Sequence, residues 1–108
     1  MIKIEENKQS VNEQKARNLI LQIQGGDTDA ETRLVNLYKR FSASVARQYK
    51  GKGLTEEEIT SACESALKRA AHKFDLNKHF AFISYAIWWM REGILQALKA
   101  KRSHVIKN

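Results

Sequence analysis

Apolar positions recur along this chain at spacings of three and four, the period of helices packed along one face. Ser10-Val11-Asn12-Glu13 has the form Ser-x-x-Glu, in which hydroxyl and carboxylate each accept a main-chain N–H at a helix start. It predicts a helix with Leu19, Ile20 and Ile23 on one face and Gly25-Gly26 as its stop, preceded by a polar, flexible arm over residues 1–9. Asp27 or Thr28 caps a second helix, whose stripe runs Ala30, Leu34, Leu37, Phe41, Val45 and Tyr49. That helix is long enough to admit a break between Tyr38 and Ser42, and Gly51 and Gly53 end it. Thr55-Glu56-Glu57-Glu58 repeats the capping form, with three acids at the positive end of a helix dipole. The third helix then carries Ile59, Ala62 or Cys63, Ala66, Leu67, Ala70 and Phe74, a stripe small enough for another helix to approach closely. Asp75 to His79 reads as a loop, and a fourth helix runs from about Phe82 to Lys101.

Composition narrows the architecture. A chain of 108 residues predicts one domain, and with no proline and five glycines it lacks the turn residues that an all-β fold of this size needs. The expectation is an all-α, four-helix domain over residues 10–102, with 103–108 as a tail. No apolar run approaches the ~20 residues of a membrane helix, and the first residues carry no apolar signal region. A single cysteine, Cys63, excludes a disulfide framework or a cysteine-cluster zinc site. The expected location is cytoplasmic, with no membrane partner.

Charge is distributed unevenly. Residues 1–67 hold ten basic and ten acidic side chains; residues 68–108 hold nine basic and two acidic, so the whole net charge of +7 lies there. The same stretch holds six of the nine aromatics. Cations that track phosphates, interleaved with rings that stack on bases, suit single-stranded nucleic acid. A core helix with a solvated basic face fits the composition equally well.

Signatures of phosphate-loop, dinucleotide and zinc-protease chemistry are absent from the sequence, and no cofactor or metal is implied. His72 and His79 flank the loop as solvated or capping side chains, and Cys63 lies on an apolar stripe as a small core residue. No nucleophile stands beside a poised base, so the chain is not expected to be an enzyme. The fourth helix carries more. Tyr85, Trp88, Trp89 and Glu92 fall at i, i+3, i+4 and i+7 and share a face, while Phe82, Ala86, Trp89, Gly93 and Ala97 form an overlapping stripe suited to the core. Adjacent tryptophans cannot point the same way on a helix, so Trp88 and Tyr85 are expected to lean off the core as a stacking surface.

These residues carry a resemblance. Phe74-Asp75, followed by Phe80-Ala81-Phe82-Ile83-Ser84-Tyr85-Ala86-Ile87-Trp88-Trp89-Met90-Arg91, resembles the most diagnostic stretch of region 2 of the sigma-70 family of transcription initiation factors. Tyr49-Lys50-Gly51-Lys52-Gly53-Leu54 and Gln24-Gly25-Gly26-Asp27 are similar to two turns of the same domain, and the likeness covers roughly residues 15 to 106. It implies binding to core RNA polymerase, through the coiled coil of its β-prime subunit, and to promoter DNA as the single-stranded non-template strand. In such a domain Tyr85 stacks on the adenine flipped out of the −10 element, and Phe74 and Asp75 line its pocket. Lys78 and Phe80 lie in the loop beside it, Ser84 supplies a small hydroxyl, Trp88 and Trp89 stand at the fork between duplex and single strand, and Arg91 is a nearby cation. Phe82, Gln96 and Lys99 belong to the same DNA-facing set, and Glu58, Ile59, Ser61, Ala62 and Glu64 are the matching polymerase-binding set.

The chain also departs from the family. Glu92 replaces a glutamine that reads duplex and Leu95 a threonine one turn on, so duplex readout is altered or absent. Of the family's polymerase-binding motif only the acid, as Glu58, and the apolar Ile59 survive. The implied function is therefore that of a divergent, alternative sigma factor. The rival is a sigma-like regulatory module that binds a protein, such as an anti-sigma factor or a polymerase subunit, with DNA readout lost. The chain stops where the family's next region would begin, which fits either an excised domain or a short protein that works with a separate partner.

Overall fold

In the computed structural model, the backbone of residues 2–107 and the side chains of residues 11–102 are described. Helix ends follow local chemistry. The Asp27 carboxylate accepts the N–H groups of Asp29 and Ala30 at 3.0 and 3.3 Å and caps α2, Thr28–Leu37. Thr55 and Glu58 exchange both bonds of a capping box, at 2.7 and 3.1 Å, and open α4, Glu56–Lys73. Ahead of α2, the chain leaves α1, Ile2–Gln24, through Gly26 at φ +101°, a left-handed turn that suits a residue without Cβ.

The break admitted in the long second helix falls at Tyr38, with φ −107° and ψ 21°. It separates α2 from α3, Lys39–Arg47, so the described residues form five helices rather than the expected four, α5 being Phe82–Lys107. Tyr38 turns its ring into the core against Phe41 and Phe82. Beyond the break the buried face therefore continues through Ser42, Val45 and Ala46, leaving Leu37, Phe41 and Tyr49 half-buried at its side. Strands are absent among the described residues, which matches the expected all-α class.

Two boundaries differ from expectation. The backbone is already helical at Ile2, so Ser10 lies inside α1 and does not start it; the side chains of residues 1–10 lie outside the described set. At the other end α5 continues to Lys107, through most of the expected tail.

The largest interface joins α4 and α5. Gly93 makes it close: a Cβ there would stand 3.4 Å from both the Ala62 carbonyl oxygen and the Ala66 Cβ. The buried stripe of α5 is Phe82, Ala86, Met90 and Ile94, one i+4 row, while Trp89, Gly93 and Ala97 line its α4 border. Gly93→Ala gains up to about 1 kcal/mol of helix propensity against a contact at the ordinary limit, so thermal melts should place it near the parent. Gly93→Leu drives a side chain into α4 and should cost ~1–3 kcal/mol, a fall in Tm of at least about 4 °C for a domain of this size.

Candidate nucleic-acid interface

The connection from α4 to α5 is irregular, and α1 supplies the groups that hold it. Gln24 donates through Nε2 to the carbonyls of Ala71 and Phe74, at 3.0 and 2.8 Å, and closes the end of α4. Glu13 accepts the Phe82 N–H at 3.0 Å and caps the start of α5. Between them Arg17 donates to Glu13 through Nε at 2.8 Å, to the Leu76 carbonyl through Nη1 at 3.1 Å, and to the Lys78 and Phe80 carbonyls through Nη2 at 3.1 and 3.0 Å. Its guanidinium also lies over the Phe74 ring, 5.3 Å from the centroid. Within the connection, Asp75 accepts the Asn77 N–H on its carboxylate and the Lys78 N–H on its carbonyl, forming a turn.

A ladder of rings runs from the core to this surface. Tyr38 meets Phe82, and Phe82 meets Phe74 at 5.2 Å. Phe74 supports Phe80 at 5.6 Å and Tyr85 at 5.5 Å. Tyr85 continues to Trp89, and Trp89 to Trp88 at 5.7 Å. Exposure divides the predicted set. Phe80 is 46% exposed and Trp88 59%, with Tyr85 and Trp89 half-buried between them. Asp75, Lys78, Ser84, Arg91, Gln96 and Lys99 are exposed, and Glu92 is half-buried. Lys78, Arg91 and Lys99 enter no ion pair among the described residues.

Phe82 is a correction: at 0% exposure it is core, and no strand can touch it. Phe74, 3% exposed, forms the floor beneath Phe80 and Tyr85 rather than an open wall. Ser84 lines a separate groove with Leu37, Phe41, Ile83 and Ile87.

The polymerase-binding set is also divided. Ile59 is 2% exposed and packs inward. Glu58, Ser61 and Ala62 line the α4–α5 groove, and the opposite wall carries Trp88, Trp89, Glu92 and Gln96. The two predicted sets thus share one groove. Glu64 turns instead toward a shallow depression with Glu56, Glu57, Thr60 and Ser61. The Trp89 indole N–H is buried and has no hydrogen-bond partner among the described residues.

Cys63 is buried, and desolvation, aided by the Glu64 charge, pushes its thiol up to about 11, so it is protonated at neutral pH. His72 lies 2.7 Å from the Glu31 carboxylate on α2. No cluster of three metal-ligating side chains occurs among the described residues, and no described helix is long and apolar enough to cross a membrane.

Glu13, Arg17 and Gln24 have no counterpart in the predicted site. Apart from the capping form that ends in Glu13 and the turn that begins at Gln24, their local signal is a row of polar positions beside the buried Ala16, Ile20 and Ile23, which a solvated helix face shows equally.

The fold and surface define an all-α domain that offers exposed rings and exposed cations along one connection and helix. Comparison with known proteins is specific. The Sigma-70 region 2 model matches residues 34–104. RNA polymerase sigma factor SigA of Listeria monocytogenes, that of Listeria innocua and that of a Bacillus species are each 36% identical to the chain over 80 residues, 74% of its length. The chain belongs to the sigma-70 region 2 family. It spans about one fifth of those relatives, the aligned part being 21% of each.

The Glu58 carboxyl is held below its ordinary value by the Thr55 N–H first and by Lys101, 3.0 Å away, second. A depressed carboxylate adds stability above its unfolded pKa and loses it as pH falls through the folded one. Glu58→Gln keeps an oxygen for the capping box and removes only the charge. Urea midpoints should therefore be lower for the variant at pH 7, and the gap should close as the pH drops below the ordinary glutamate range. A gap independent of pH would refute the role of the charge.

Proposed function

We propose that this domain serves transcription initiation by binding core RNA polymerase and holding the non-template strand of an opened promoter. The observation that carries the reading is one ring ladder on which Phe80 and Trp88 are exposed and Tyr85 is half-buried between them, beside Lys78 and Arg91. Extruding a base costs a few kcal/mol, and each aromatic stack returns ~1–3 kcal/mol. Two or three such rings are the least that could keep a strand open. Family membership and the name of the relatives, RNA polymerase sigma factor, support the same role.

In this reading a base stacks against Tyr85, with Phe80 at its side and Phe74 as the floor. Trp88 stands where single strand meets duplex, and Lys78, Arg91 and Lys99 attract phosphates. Glu92, half-buried in the α4–α5 groove, can accept from a cytosine amino group but repels phosphate. Polymerase is assigned to the exposed side of α4 around Glu57, Ser61 and the groove.

Titration with a non-template-strand oligonucleotide tests this. If four phosphates are engaged, the log–log salt slope should be about −3. Tyr85→Ala should weaken strand binding by roughly 5- to 150-fold at temperatures where both proteins are folded. Tyr85→Phe should keep most of the affinity. A melting-temperature loss in Tyr85→Ala that accounts for the whole binding defect would mean that the ring serves only packing. Co-purification with core polymerase but no strand binding would support the regulatory module instead.

A further inference from the structure

Beyond the predicted site, polar side chains that reach across the fold gather on α1, all of which precedes the stretch matched by the family model. We infer that Arg17 is a positioning residue for strand capture, holding the α4–α5 connection in the shape that sets Phe80 against Tyr85. This rests on the proposed function.

The turn around Asp75 supplies bonds only to the first half of the connection, at Asn77 and Lys78. The Lys78 and Phe80 carbonyls find their partner in the Arg17 guanidinium, which also takes the Leu76 carbonyl. One planar fork thus holds three alternate residues, and its seat on the Phe74 face fixes the plane of the fork. The same guanidinium is bonded to Glu13, and Glu13 accepts the first N–H of α5. Phe80 sits on the connection and Tyr85 within the first two turns of α5, so the pair Glu13–Arg17 sets how the two rings meet, 6.3 Å apart. Both side chains lie at the rim of the core, with 29% and 22% exposure, so losing the fork should open the connection before it opens the fold.

Arg17→Lys tests this without changing net charge. A lysine ammonium is a point donor and cannot span three carbonyls and a carboxylate. Measured well below both melting temperatures, the variant should bind the non-template oligonucleotide about tenfold more weakly, the loss expected from one misplaced stack. Amide exchange should quicken at Asn77, Lys78 and Phe82, whose N–H groups are bonded within the connection and at the start of α5, and stay unchanged at Leu67 and Met90. In a Phe80→Ala background the same substitution should cost less, because the ring it positions is gone. Should Arg17→Lys not fold, Glu13→Gln, which keeps an oxygen for the Phe82 N–H and gives up the ion pair, carries the same expectations. Strand affinity within twofold of the parent, or exchange that quickens equally in the core, overturns the inference. Failure of the parent domain itself to bind the strand overturns the proposed function, and this inference with it.

Discussion

An irregular stretch between two packed helices must find partners for its main-chain groups, and in this domain α1 provides them. Gln24 closes α4, Glu13 caps α5, and Arg17 takes three carbonyls between. Each bond involves either a helix terminus or a charged group, the two settings where a hydrogen bond contributes most. Removing Arg17 would leave three carbonyls of the connection without a protein partner and hand them to solvent, so the connection would lose its fixed shape. The surface that carries Phe80 and Tyr85 therefore depends on residues from the far end of the sequence.

The ring ladder imposes the second constraint. Phe74 and Phe82 are buried and Phe80 and Trp88 exposed, yet the contacts between neighbouring rings form one series. Exposed rings are costly to hold in place unless something rigid lies behind them. Here the support is the core, through Phe74, whose ring also carries the Arg17 cation. The tilted contacts leave the outer rings room for another flat group to stack.

Much of this was legible in the sequence, and the parts that were not share a cause. Helix starts at Asp27 and Thr55 and the turn at Gly26 rest on neighbours within three residues, so local chemistry reveals them. The exposure of Trp88 followed from helix geometry alone. Phe82 was misplaced because a motif says which residues recur and not which way each faces; the i+4 row with Met90 and Ile94 takes it inward. Ile59 fails as a contact for the same reason. Ser10 misled because a capping form inside a helix is indistinguishable, in sequence, from one at its start. Arg17 and Glu13 were invisible because their partners lie 59 to 69 residues away and are mostly main-chain atoms, which no side-chain pattern reports.

The acid at Glu58 shows how a shared motif can have a purely local cause. Its carboxylate accepts the Thr55 N–H and pairs with Lys101, so capping and the α4–α5 contact suffice to explain an acid at that position. Evidence for a protein partner must then come from the neighbouring groups whose charge is not spent inside the domain. Glu56 and Glu57 are exposed at the start of α4, while Lys78 and Arg91 are exposed along the connection and α5. Like charge keeps a phosphate backbone off the first of these surfaces and draws it to the second. The groove between them, with Glu58 on one wall and Trp88 on the other, marks the border. Under the proposed function the two partners are thus separated by sign: the nucleic acid is confined to the ring ladder, and the acidic end of α4 is left for protein.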